Sequence, residues 1–203
     1  MQILTTALSE LSPRLRADKA FKVSVNIVPR HLLSESFVDT LRRLVAEARV
    51  SPRQIILELT ERNELPDLKK AASRVRELQE RGFRVALDDV GVGHSGLSQI
   101  KALGADTMKI DKFFVDTITS GDSSTASIVE MVVRLARELK MTVVAEGIET
   151  SEQLAALSAC GVEQGQGYLV SPPLPLEKFD ALLEKRAIER EIAATACQAA
   201  LVA

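Results

Sequence analysis

The sequence predicts an α/β protein built on a parallel sheet of about six strands. Short apolar runs rich in branched residues alternate with amphipathic stretches from Lys22 to Val170, the pattern of strands joined by helical crossovers. The runs are five to seven residues long, which suits strands rather than helices. Each closes on or beside a polar side chain, at the end where parallel α/β proteins place their chemistry.

The elements follow in order. A first helix is expected over Gln2–Ala17. The strands are "KVSVNIV" from Lys22, "QIILELT" from Gln54, "RVALDDV" from Arg84, "TMKID" from Thr107, "TVVAEG" from Thr142 and "QGYLV" from Gln166. Between them, helical periodicity covers Ser36–Arg49, Leu65–Arg81, Ser95–Leu103, Ser123–Lys140 and Ser151–Cys160, and a last helix begins near Leu176. "TSEQ" at Thr150–Gln153 is a capping box that opens the helix from Ser151, and Gly82 and Gly161 stand where helices should end. The Ala-rich tail "AIEREIAATACQAALVA" extends or follows the last helix and is assigned no function.

Composition narrows the function. A chain of 203 residues can bury roughly 70% of its unfolded surface in one core, so one main domain is expected. Hydrophobic residues make up 46% and charged residues 27%, with net charge −2, which leaves no broad cationic surface for DNA, RNA or membrane. No apolar run approaches the roughly 18 residues of a membrane helix, and "MQILTTALSELSPRLR" lacks the marks of a leader. A cytoplasmic location is expected. Cys160 and Cys197 show no metal-binding spacing, and His31 and His94 are the only imidazoles, so a zinc site is not expected.

The strand ends carry Asn26; Glu58 and Glu61; Asp88 and Asp89; Lys109 and Asp111; Glu146 and Glu149; and Gln166. Each has a structural explanation when taken alone: Glu61 can cap a helix, the Asp pair can start a turn, Lys109 can face outward, Gln166 can bond a loop. Their recurrence at six strand ends favours a site, because charges beside a core must be paired or bind metal. Oxygen donors with almost no His or Cys suit Mg²⁺ or Mn²⁺, and Asp88 and Asp89 can be shared between two ions. Such a pair of ions serves phosphoester hydrolysis, with Lys109 orienting a water and Glu146 taking a proton.

A literal G-x-G-x-x-G, at Gly91, Gly93 and Gly96, follows the third strand. A dinucleotide fingerprint would have that form. Asp88 and Asp89 argue against it, since they would face a pyrophosphate with like charge.

The segments "SVN", "LELTE", "ALDDVGVGHS", "KIDKFFV", "VVAEGIET" and "QGYLVSPP" together resemble the EAL-domain family of cyclic di-GMP phosphodiesterases, in that family's order and from about Val23 to Phe179. The resemblance implies a TIM-like (β/α) barrel of the EAL type and hydrolysis of the second messenger cyclic di-GMP to linear pGpG in bacterial signalling. It implies metal ligation by Asn26, Glu58, Asp88, Asp89 and Glu146, with Lys109 and Glu146 catalytic and two Mg²⁺ or Mn²⁺ ions as cofactors. Gln166 and Asp111 would contact substrate. Glu61, Glu149, Gly91, Gly93, His94 and Ser95 would form or brace a mobile loop, and a homodimer is implied.

This chain departs from the family pattern in several places. Val90, Val92, His94 and Gly96 vary the glycine loop, and Pro172 stands where an arginine is usual. His94 with "NIVPRHL" resembles the branch found in membrane-bound sensor phosphodiesterases, so a membrane would be met only through a sensor region upstream. The Glu-Ala-Leu tripeptide is absent from the sequence. The expectation is therefore a family domain at residues 1–185 lacking its opening hairpin, followed by a helical tail at 186–203. A catalytically inactive module that binds cyclic di-GMP or a protein partner is the alternative.

Overall fold

The computed structural model of the chain describes residues 2–60, 66–91, 97–121 and 123–186. Contacts divide the chain into two compact units, Met1–Val170 and Ser171–Ala203. In the second unit residues 176–186 are helical. All that follows concerns the first.

Six strands form one parallel sheet: β1 (Val23–Ile27), β2 (Ile55–Thr60), β3 (Arg84–Val90), β4 (Thr107–Ile110), β5 (Thr142–Ala145) and β6 (Gln164–Gly165). Their order in the sheet is their order in the chain. A right-handed crossover repeated in one direction puts every connecting helix on the same side. That is the winding of a barrel wall, and it leaves the other face of the sheet free of helices.

The side chains obey this division. Val25, Leu57, Val85, Leu87, Met108 and Ile110 are buried in one core with the helices. The alternate positions, among them Ser24, Glu58, Ala86, Thr107, Lys109 and Thr142, line a cavity of about 220 Å³ on the opposite face. The strand period of two thus gives an apolar outer face and a polar inner one.

The covering helices are α1 (Gln2–Ala17), α2 (Pro29–Leu32), α3 (Phe37–Glu47), α4 (Leu68–Glu80), α5 (Leu97–Leu103), α6 (Lys112–Thr117), α7 (Ser123–Glu138) and α8 (Ser151–Ala159). Helix α1 buries Leu4, Leu8 and Leu15, one stripe at helical spacing. Its exit is fixed by buried Gln54, whose Nε2 donates to Leu15 O, Asp18 O and Phe21 O at 2.8, 2.9 and 2.9 Å. The predicted capping box of α8 forms, with Thr150 and Gln153 bonding each other's backbone. Gly82 and Gly161 end α4 and α8 at φ +90 and +88°.

The structure departs from the sequence reading in three places. The sixth strand lies at Gln164–Gly165, and Gly167–Val170 turns instead of extending. Gly167 passes so close to Ile148 that a Cβ would collide with its backbone N and O, and Val170 N–H bonds back to Gly167 O at 3.0 Å. "KFFVDT" forms α6, because Asp111 ends β4 and caps a new helix. Helix α4 is capped by Asp67, which accepts from Lys70 N at 2.9 Å; the predicted start at Leu65 lies outside the described residues.

Candidate active site

The inner face at the carboxyl end of the sheet gathers the charged residues. Parallel pairing sets Asn26 beside Glu58 and Thr60 beside Asp88. Between β3 and β4 the register breaks: Leu87 pairs with Met108 and Val90 with Ile110, so Asp88 and Asp89 together face Lys109 alone. This is a β-bulge. Neighbours in a regular strand point to opposite faces, but here Asp89 takes φ +59° and both carboxylates reach one place. Oxygens of Asp88, Asp89 and Glu146 lie within 4.8 Å of one another.

Lys109 stands at the centre, 4% exposed. Its Nζ is 2.8 Å from Glu58 Oε2 and 3.1 Å from Asp88 Oδ1, and it also pairs with Glu146 Oε1. One cation thus serves three carboxylates from β2, β3 and the end of β5. Burial works to lower the Lys109 pKa, but the hydrogen bonds and charges of Glu146 and Glu58 outweigh it and hold the ammonium above an ordinary lysine. It is therefore a fixed positive charge and a donor, never a base at neutral pH.

Glu146 behaves in the opposite sense. Burial pushes its carboxyl up to about 7, and the Asp88 charge adds to this against the pull of Lys109. Gln166 Nε2 donates to Glu146 Oε1 at 2.6 Å, and its backbone bonds Ala145 O and Ile148 N hold it just past β6. A carboxylate with a pKa near neutrality, oriented by an amide and a lysine, is suited to exchanging a proton.

The other expected residues that the structure describes make contacts of their own. Asp111 is buried, and its Oδ1 accepts from Phe113 N at 2.7 Å to cap α6. Glu149 is exposed and pairs with Lys112 at 2.8 Å. Gly91 has φ +100°, and a Cβ there would come 2.8 Å from the Phe114 ring, so the strand can leave the sheet at this point only as glycine. Asn26 is exposed at the end of β1. Glu61, Gly93, His94 and Ser95 lie outside the described residues. Lys112, which bridges Glu149 and Asp116, was not singled out from sequence, since an exposed lysine in "KIDKFFV" carries no signal of its own.

The cluster fits a divalent metal. Its donors are carboxylate oxygens alone, the set preferred by hard cations. Three of them already converge within 4.8 Å, a crowding of negative charge that a cation relieves.

Comparison with known proteins shows the family. The profile of the EAL domain matches residues 1–173. The Escherichia coli K12 protein named "Probable cyclic di-GMP phosphodiesterase PdeB" is 38% identical over 177 residues, 87% of this chain and 33% of that protein. Among solved structures, "PaMucR Phosphodiesterase, c-di-GMP complex" superposes with a TM-score of 0.80 at 31% identity, covering 88% of this chain and 72% of the other. The manganese and cyclic di-GMP complex of Klebsiella pneumoniae BlrP1 gives 0.75 at 30% identity, over 85% and 43% of the two chains. The chain spans a quarter to a third of the length of PdeB and of two further Escherichia coli K12 relatives, PdeN and PdeA.

Proposed function

Because the chain belongs to the EAL domain family, we propose that it hydrolyses cyclic di-GMP to linear pGpG with divalent metal ions, thereby lowering this second messenger. The observation that carries the reading is the bulge that turns Asp88 and Asp89 to one place beside Glu146. Similar chains named as cyclic di-GMP phosphodiesterases, and the BlrP1 complex with manganese and cyclic di-GMP, support it.

The roles follow from position. Asp88, Asp89 and Glu146 would hold two Mg²⁺ or Mn²⁺ ions, with Glu58 and Asn26 on the adjoining strands completing the set. Bound there, the ions would supply a polarised water and neutralise phosphate oxygens. Lys109 uses its three N–H groups on Glu58, Asp88 and Glu146, so it would release one of these carboxylates to the ions to donate to the water. Glu146 would take the proton of the water as its oxygen bonds to phosphorus and the P–O ester bond breaks, and the departing oxygen would take a proton from solvent. Gln166 keeps Glu146 from turning away.

A homodimer is part of the proposal. An apolar groove of about 570 Å³ is lined by Val90, Leu97, Ile100, Phe114, Ile128 and Met131, and Leu97 and Met131 are 60% and 58% exposed. The groove begins at Val90, directly after the Asp pair, so a second copy seated there would meet the strand that carries the site. Residues 1–185 are taken as the phosphodiesterase domain; the expected helical tail at 186–203 lies, beyond Arg186, outside the described residues. No described helix is long and apolar enough to cross a membrane.

The test is turnover of cyclic di-GMP by the folded protein with Mn²⁺ or Mg²⁺, beside Glu58→Ala. Linear product formed by the wild type and lost in the variant is expected. Folded protein without turnover contradicts the catalytic reading and leaves nucleotide or partner binding.

A further inference from the structure

Lys112 lies outside the cluster around Lys109, yet two contacts join it to the segment that carries Glu146, and a third holds it to its own helix. Its Nζ donates to Glu149 Oε1 at 2.8 Å and to Asp116 Oδ1 at 2.9 Å. Its aliphatic stem covers Gly147, where a Cβ would stand 2.6 Å from Lys112 Cγ and 2.8 Å from Cδ. Gly147 also has φ +71°. The glycine therefore makes both the turn and the room for the lysine stem.

The residues around Gly147 are tied down by other means. Glu146 N–H donates to Ile110 O at 3.1 Å, Ile148 N–H to Gln166 O at 3.0 Å, and Glu149 N–H to Gln153 Oε1 at 2.8 Å. Residues 146–149 thus run between β4, the end of β6 and α8, and the lysine stem closes over the one glycine in that span. A lone exposed ion pair contributes little. Lys112 differs in combining stem packing with two carboxylates, one of them a turn away on its own helix, which holds the ammonium in place for the other.

Resting on the metal-dependent reading above, we infer that Lys112 is a positioning residue: it clamps the 146–149 turn onto the start of α6 and so holds Glu146 against Lys109 and the Asp pair. It touches neither the candidate ligands nor the reacting atoms. Its effect passes through Gly147 and Glu149 to the carboxylate of Glu146, one and three residues away along the same short turn.

The experiment compares wild type, Lys112→Ala and Lys112→Arg by hydrogen–deuterium exchange of the metal-free proteins and by Mn²⁺ titration followed by EPR. In Lys112→Ala the 146–149 amides should exchange faster, and Mn²⁺ affinity should fall by about ten-fold, as for loss of an outer support of a metal ligand. Melting temperature and protection elsewhere should stay at wild-type values, and Lys112→Arg should restore both losses. Wild-type protection at 146–149 in Lys112→Ala overturns the inference. So does faster exchange with unchanged Mn²⁺ affinity, or failure of the arginine to restore it. Wild-type protein that binds no Mn²⁺ contradicts the metal reading itself; the exchange comparison then decides the clamp alone, faster exchange upholding it and equal exchange overturning it.

Discussion

Asp88 and Asp89 are neighbours in sequence, yet their carboxylates converge with Glu146 within 4.8 Å because both residues face Lys109 across a β-bulge. The bulge places Asp89 at φ +59°, a conformation that costs non-glycine residues stability, and sets like charges side by side. Sites that are built for binding carry such internal conflict.

Asp89→Asn should therefore stabilise the metal-free protein while weakening Mn²⁺ binding. The expected gain is about 0.5–1 kcal/mol, from relief of like-charge repulsion near the surface. Urea unfolding without metal, beside Mn²⁺ titration, checks both signs.

Lys109→Met should do the reverse. It strands buried Glu58 without its cation, and removal of one partner from a buried pair costs about 3–5 kcal/mol. Activity should be lost with stability.

Glu146 predicts a pH dependence in the wild type. Its carboxyl is raised from 4.5 to about 7 in the folded chain, so the folded state binds its proton more tightly than the unfolded one. This contribution to stability is full below the ordinary carboxylate value and is lost as the pH climbs to about 7. The melting temperature of metal-free protein should carry a falling component over that interval, which Glu146→Gln removes. Mn²⁺ affinity should rise over the same interval as the proton yields the site.

Gly167→Ala should destabilise far more than Gly104→Ala. A Cβ at Gly167 meets the Ile148 backbone, whereas nothing lies within 4 Å of one at Gly104. Overpacking against backbone costs about 1–3 kcal/mol, and Gly104 at φ +63° should cost about 1 kcal/mol from conformation alone. Equal effects in chemical denaturation would contradict this account of the turn after β6.

Much of this architecture was legible in the sequence. Branched apolar runs mark the strands because a strand covered by helices on one face needs that composition, and polar residues closing the runs at Glu58, Asp88, Lys109 and Glu146 mark the inner face. The bulge was not legible as such, because Asp88–Asp89 in an alternating strand reads as one residue in and one out. Helix α6 was missed because six residues are too few to show helical periodicity. "QGYLV" read as a strand from its branched and aromatic content, whereas the contact of Gly167 with Ile148 turns the chain there. The link from Lys112 to Gly147 joins residues far apart in the chain and left no local mark.

The most direct test of the central claim is Mn²⁺ binding by the metal-free protein, with Asp88→Asn and Asp89→Asn alongside. Saturable binding by the wild type, weakened in each variant while both stay folded, is the predicted result and would establish that the bulged pair is a metal site. Wild-type protein that binds no Mn²⁺, or variants that bind it as tightly as the wild type, would contradict the account.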